Sequence, residues 1–380
     1  MKAFFTRKNI SIVGGIMILI AGNSPATILP FIVGTLEDGF SLSRSQVGLI
    51  VSSELLSIAF SSILFGSLIT KLNLKLTSFL GLLLIIGSYL FSSTIEDHSI
   101  LQLTRIISGI GSGLLIATGH NILSSSKNPD FSYAAFTLAA SLCGATFVRI
   151  AGITSEEGGY QYLFSTFGYI FLFFTTALIL INTSILKPIT RPLSDESSKT
   201  PVVVLLILGV IFFSLPSGGM WAFNERLGIE IGLAQSEIGI VLFYSLIAGL
   251  LAPVLVWSIG SSYGRKKPLL ICLSSILSCF FLILLTMDKF YYWIGNILWN
   301  FTVTVAVIYV LAAAAHLSKD GKLASWINAV SLLSQASAPL LFGFILTNLS
   351  FIYLLPFLAI SLSISILCIL FTKNRLDEAI

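Results

Sequence analysis

Runs of about 20 apolar residues recur from one end of this chain to the other, separated by short loops. As an α-helix, each run rises ~1.5 Å per residue and is long enough to cross a hydrocarbon layer ~30 Å thick. No water satisfies backbone N–H and C=O groups inside that layer, so a chain of this pattern folds as a bundle of helices. Twelve spans are expected, at roughly 10–36, 45–69, 76–94, 99–123, 131–153, 160–186, 201–224, 236–258, 268–286, 290–316, 323–347 and 351–371, with ends good to ~2–4 residues. Charged residues are 10% of the 380, against ~25% in soluble domains. No stretch remains for a sizeable soluble domain. Lys2, Arg7 and Lys8 precede the first run as in a signal peptide, but that run is too long and lacks a small-x-small cleavage site, so it is read as a retained helix.

Lys and Arg in the loops set the orientation. Sixteen of the 21 basic residues fall on the side that carries both termini, and only Arg44, Arg226 and Lys289 on the other. Both termini are therefore expected in the cytoplasm of a bacterium, with the chain in its inner membrane. The net charge of +4 is spread over these short loops rather than gathered in a patch, which argues against a nucleic-acid partner. Cys143, Cys272, Cys279 and Cys368 lie in apolar spans without metal-ligand spacing and are read as packing residues.

A shift of 191 positions brings "FSLSRSQVGLI" at 40–50 over "IGLAQSEIGIV" at 231–241, pairing Ser45 with Ser236, Gln46 with Glu237 and Gly48 with Gly239. The same shift puts Lys75 on Lys266. Two parallel halves around a pseudo-two-fold axis leave this kind of repeat. The polar stretch "KPITRPLSDESSKT" lies where the halves join, so the expected organisation is a six-helix bundle over 1–186, a cytoplasmic linker over 187–200 and a second six-helix bundle over 201–380.

With these motifs in place, the chain resembles the major facilitator superfamily over essentially its whole length. The superfamily's loop signature after span two, G-x-L-x-D-R-x-G-R-K, is met by "GSLITKLNLK", which keeps Gly66, Leu68 and Lys75, has Lys71 at the Arg position and has Thr70 at the acidic one. The copy after span eight, "WSIGSSYGRK", keeps Gly264, Arg265 and Lys266, again without the acid. The span-four signature, an Arg followed by spaced glycines, is met by Arg105, Gly109, Gly111 and Gly113 in "RIISGIGSG". The resemblance implies an all-α membrane fold of two pseudo-symmetric six-helix bundles, gating by the two loop signatures, and secondary transport.

Three charges fall within predicted spans at similar estimated depth: Glu54, Arg105 and Arg149. Facing lipid, each would cost at least a few kcal/mol. They are read either as a structural ion pair, with Arg149 reaching the outer interface, or as a transport set in which Glu54 carries a proton and Arg105 or Arg149 holds an anionic group. Ser53, Ser57 and Ser61 share a face with Glu54 that is expected to line water. Asn296, Asn300 and Thr304 on span ten, and Asn328, Ser331 and Gln335 on span eleven, repeat at helical spacing. They are candidates for a solute site or for interhelical ties. Under the 191-residue shift Arg105 falls on Asn296 and Glu54 on Ser245, so intramembrane ionisable groups are expected in the first half alone. Asn23, Ser24 and Pro25 interrupt span one, and Pro216, Gly218 and Gly219 interrupt span seven. Such breaks either kink a helix or offer backbone groups to a solute. Trp221 and Glu225, near the outer end of span seven, are candidates to close over the solute, although a Trp there equally serves as an interfacial anchor.

The chain has no "GxxxxGK[ST]" loop, no His pair with ligand spacing and no clustered catalytic set. An enzyme, a metal site and a cofactor are therefore not expected. The expected function is secondary active transport by alternating access of a small anionic, zwitterionic or amphipathic solute, coupled to protons, by a monomer surrounded by lipid. The alternatives are a drug or metabolite efflux pump of the same fold and a non-transporting receptor. Membrane-impermeant thiol reagents should label cysteines placed within 187–200 from the cytoplasmic side only; labelling from outside would overturn the topology.

Overall fold

Every regular element of the computed structural model is helical, across the described residues 7–126, 128–182, 201–260, 262–318, 322–372 and 376. The first half contains α1 (Arg7–Thr27), α2 (Leu29–Phe40), α3 (Arg44–Leu68), α4 (Leu74–Ser92), α5 (His98–Ser124), α6 (Pro129–Phe174) and α7 (Ala177–Leu180). The second contains α8 (Pro201–Ala222), α9 (Asn224–Glu230), α10 (Gln235–Gly249), α11 (Ala252–Ile259), α12 (Lys266–Thr286), α13 (Lys289–Leu317), α14 (Lys322–Leu346) and α15 (Leu355–Phe371). Among the described residues, eleven stretches are long and apolar enough to cross a membrane. One of them, Phe131–Leu180, has 50 residues, roughly 75 Å of helix and more than twice the hydrocarbon thickness. Its backbone turns at Gly158 (φ −154°, ψ 20°) and Gly159 (φ 58°, ψ −148°), the second of these a conformation open to glycine and strained for other residues. Divided there, it supplies two crossings, consistent with the twelve expected.

The chain separates into two compact units, Met1–Pro192 and Leu193–Ile380; the expected linker at 187–200 lies outside the described residues. The 191-residue register recurs in the backbone of the two units. Ser41 (φ 51°) and Gly232 (φ 87°) hold the same left-handed position. Two residues on, the Ser43 N–H donates to Gln46 Oε1 at 3.0 Å, and the Ala234 N–H donates to Glu237 Oε2 at 2.9 Å. The Gln46–Glu237 match is thus one half of a capping box made twice. A match not drawn from the sequence completes the series: Asp97 accepts the backbone N–H groups of Ser99 and Ile100 at the start of α5, and Asp288 accepts those of Phe290 and Tyr291 at the start of α13. The two backbone donors hold the Asp97 carboxyl below the usual carboxylate range.

In the first unit α5 is packed on three sides by α1, α3 and α4, and glycine makes each approach close. A methyl group built on Gly109 would strike the Glu54 carbonyl, and one on Gly113 would strike the Ser61 hydroxyl. On the opposite side of α5, Gly111 and Gly81 of α4 each sit against the other's carbonyl. The Ser57 and Ser61 stripe, expected to line water, is therefore a packing seam: Ser57 Cβ lies against Gly109, and Ser61 donates to the carbonyls of Ser57 and Gly109. A buried hydroxyl finds its acceptor in the neighbouring backbone when glycine brings that backbone within reach.

In the second unit α8 packs on α14 and α15. Pro216 has no N–H to offer the carbonyl of Phe212 one turn earlier; that carbonyl accepts the Ser361 hydroxyl of α15 at 2.8 Å. Gly218 admits the Gln335 backbone of α14 at the carbonyl that Pro339 frees in the same way. At the breaks in span seven the Phe212 carbonyl is thus satisfied by Ser361, and Gly218 packs against α14. Gly109→Ala should lower stability by about 1–3 kcal/mol, the cost of overpacking against backbone, whereas Gly66→Ala, at an exposed position with open space around it, should be neutral or slightly stabilising. Thermal unfolding of both variants in detergent checks the pair.

Candidate functional site

Arg105 and Glu54 are both fully buried, brought together because Gly109, one turn beyond Arg105, lets α3 close onto α5. Arg105 Nη1 donates to Glu54 Oε1 at 3.5 Å. Its Nη2 donates to Ser92 Oγ at 2.8 Å and to the Ser88 carbonyl at 3.3 Å. The guanidinium also lies 4.4 Å from the ring centroids of both Tyr89 and Phe164, which favour a desolvated cation over their faces. Several groups around this pair remain open. By geometry Glu54 Oε2, Arg105 Nε, Tyr89 Oη and Ser108 Oγ are buried without a hydrogen-bond partner, the Ser108 hydroxyl lying beside the Glu54 carboxylate and the Tyr89 hydroxyl beside Arg105; further along α5, Ser112 Oγ is in the same state. Arg105, Ser108 and Ser112 follow one another along a single face of α5. Buried polar atoms are rarely left in this state, so the site has capacity for protons, water or solute.

The second unit carries a buried ion pair of its own, in the connection between α8 and α10 and outside the apolar spans. Arg226, assigned from the sequence to an outer loop, is buried on α9 with Glu225 and Asn224. Its guanidinium grips Glu225 in two bonds, Nε to Oε2 at 2.6 Å and Nη2 to Oε1 at 2.7 Å. Gln235 Nε2 adds a third donor to Oε1 at 2.9 Å. Asn224 Nδ2 donates to Asn296 Oδ1 at 2.5 Å, Asn296 Nδ2 to the Tyr292 carbonyl at 2.9 Å, and Tyr292 Oη to the Asn224 carbonyl at 3.0 Å and to Asn224 Oδ1. This network ties α9 to α10 and α13. The sequence signal was the polar run Asn224-Glu225-Arg226 between the break at Pro216 and the cap of the next helix, a pattern suited to a short buried helix as well as to a loop.

Within each unit the remaining candidates make these contacts. Arg149 is half-buried on α6 and takes no part in the Glu54–Arg105 pair. Asn23 folds onto its own helix, Nδ2 to the Leu19 carbonyl at 2.7 Å. Trp221 is half-buried beside Trp299, centroids 6.3 Å apart. Asn300 is half-buried, with Thr304, against Gly249. Asn328 and Gln335 are exposed, and Gln335 donates to Ser331, which bonds Ser214 at 2.8 Å. Of the gating candidates, Gly66, Lys71 and Lys75 are exposed. Gly264 is left-handed (φ 72°), and the two residues after it donate to carbonyls at and beyond the end of α15: Arg265 Nη1 to Leu376 and Lys266 Nζ to Leu370, each at 2.9 Å. Cations at a helix C-terminus satisfy its open carbonyls and oppose its dipole.

The profile of the Major Facilitator Superfamily matches residues 14–223, more than half of the chain. The chain belongs to that superfamily. Its fold is shared with a mutant of the nucleoside transporter NupG, at TM-score 0.74 and 10% identity over 97% of this chain and 100% of that one. It is likewise shared with a D-xylose–proton symporter, at TM-score 0.74 and 14% identity over 96% and 97% of the two chains. A third structure, a bacterial homologue of the human lysosomal transporter Spinster in an inward-facing, unoccupied conformation, gives 0.69 and 15% over 98% and 95%. At these identities the likeness establishes the fold alone. No curated protein sequence matches the chain. Membership in the superfamily makes this a membrane transport protein.

The two ion pairs should respond differently to loss of a partner. Arg226→Ala leaves Glu225 buried and uncompensated and should cost ~3–5 kcal/mol, visible as a collapse of folded yield. Tyr292→Phe removes only donations to Asn224 and should cost ~1–3 kcal/mol in a melting experiment.

Proposed function

We propose that this superfamily member is a proton-coupled secondary transporter that moves a small anionic, zwitterionic or amphipathic solute across the bacterial inner membrane by alternating access, with Glu54 as the proton carrier and Arg105 as its counter-ion. The observation that supports this reading is the contrast between its two buried ion pairs. Glu225–Arg226 has two short bonds and a third donor on the same carboxylate, as expected of a pair selected to hold structure. Glu54–Arg105 has one bond of 3.5 Å, and Glu54 Oε2 is left open.

That open oxygen is where a proton can be taken up without breaking an existing contact. Burial disfavours net charge, so a site of this kind works best when each of its states is close to neutral. Ionised Glu54 with Arg105 is one such state. Protonated Glu54, with Arg105 in place and paired instead with a carboxylate or phosphate on the solute, is another. Proton and anionic solute would then enter and leave together, and the aromatic rings of Tyr89 and Phe164 would keep the guanidinium in place throughout. Both termini and the basic loops lie on the cytoplasmic side in this scheme.

Infrared difference spectra recorded across a pH step test the carrier before any solute is known. The wild type should show a protonated-carboxyl band that is missing in Glu54→Gln, while the variant keeps its fold. An identical band in both would remove Glu54 from the proton pathway. A thermal-shift screen against metabolites then supplies solutes for proteoliposomes. There Glu54→Gln should retain solute exchange and lose accumulation driven by a pH gradient; retained accumulation would leave the pair as scaffold.

A further inference from the structure

The span that follows α9 and its loop is broken in two. Pro253, in the first turn of α11, offers no N–H to the Gly249 carbonyl at the end of α10, and α11 leans away with Trp257 85% exposed. Tyr309 on α13 holds the far end of α11 by donating to the Gly260 carbonyl at 3.1 Å. Between α11 and α12, with α13 as its floor, this leaves a crevice of about 330 Å³ lined by Leu255, Ile259, Ile271 and Val305 and closed at its rim by Tyr263 and Lys267. The rim lies at the side where the basic loops are predicted to face the cytoplasm.

Charge at that rim is unevenly committed. Arg265 and Lys266 spend their donors on the carbonyls of Leu376 and Leu370. Lys267 is exposed and has no such partner among the described residues. Alongside it, α12 begins at Lys266 with no side-chain cap on its first turn, so the positive end of the helix dipole points the same way. An apolar slot with a free cation and the open N–H groups of Lys266 and Lys267 at its mouth, Pro268 having none, matches a molecule with a hydrocarbon tail and an anionic head. Anionic lipid in the cytoplasmic leaflet is attracted to basic pockets between membrane helices in this way.

We propose that this crevice is a binding site for an anionic phospholipid, with one acyl chain between α11 and α12 and the phosphate on Lys267 and the α12 N-terminus. The site is independent of the transport reading and is tested without a solute. Full-length protein in mild detergent, offered equal phosphatidylglycerol and phosphatidylcholine, should retain phosphatidylglycerol preferentially in native mass spectra. Lys267→Gln should lower that preference about fivefold, the effect of one Lys near an anionic surface. Ile271→Trp, which fills the slot from a residue 69% exposed, should reduce retention of both lipids. Lys289→Gln, an exposed charge on the opposite predicted face, should change nothing. Equal retention of the two lipids by the wild type, an equal effect of Lys289→Gln, or undiminished retention by Ile271→Trp would each overturn the site.

Discussion

The first half of the molecule depends on how closely α3 and α4 approach α5. Lipid offers no hydrophobic force to press one helix on another, so the approach is set by packing and by polar contacts across the seam. Gly109, Gly111 and Gly113 remove the side chains that would hold the neighbours off. Once those backbones are in contact, Arg105 has nowhere to go but among them. It is fully buried with a carboxylate from α3, a carbonyl and a hydroxyl from α4 and a ring from each of α4 and α6. The glycines are thus the cause of the charged site, and the same four-residue spacing that reads as a helix-packing motif is what makes an intramembrane arginine tolerable.

The second half solves the same packing problem with the small residue on the other helix. Under the 191-residue register Gly109 corresponds to Asn300 and Ile58 to Gly249. The α10–α13 contact is closed by Gly249 against Asn300 and Thr304, where the α3–α5 contact is closed by Gly109 against Ser57 and Ile58. Moving the glycine across the seam frees α13 to carry Asn300 and Thr304 at the positions where α5 carries Gly109 and Gly113. It also leaves Asn296, the counterpart of Arg105, to bond Asn224 and Tyr292, so the charge of this half appears one helix away, on α9.

What was legible in the sequence is what repeats or is costly to misplace. Apolar runs of spanning length, the 191-residue register and the glycines after Arg105 each impose geometry by themselves, and the helices, the duplicated caps and the α3–α5 seam follow from them. The pairing of Glu54 with Arg105 was open to expectation because an intramembrane charge needs a partner. Arg226 was placed between two spans, where it does lie, but its burial on a short helix was not legible, because loop charge and short-helix charge look alike at a span end and only the tertiary contacts of Glu225 and Gln235 decide between them. The serine stripe of α3 failed for a related reason: helical spacing fixes which residues share a face, not whether that face meets water or another backbone. Tyr89, Ser92 and Phe164 carried no signal at all, being ordinary residues of apolar spans until Arg105 is placed beside them.

The two buried pairs also separate two uses of the same chemistry. A carboxylate held by a bidentate guanidinium and an amide has three of its roughly four lone-pair sites occupied. Such a group serves to fix α9 against α10. A carboxylate with one long bond and one open oxygen has less to give up, while its guanidinium keeps the Ser88, Ser92 and aromatic contacts whichever form the acid takes. Retaining those contacts is what would let Arg105 act as a fixed cation beside a group of variable charge. On the proposed reading the protein carries both kinds of site, one that stays as it is while helices move and one whose charge follows the solute, each in a different half.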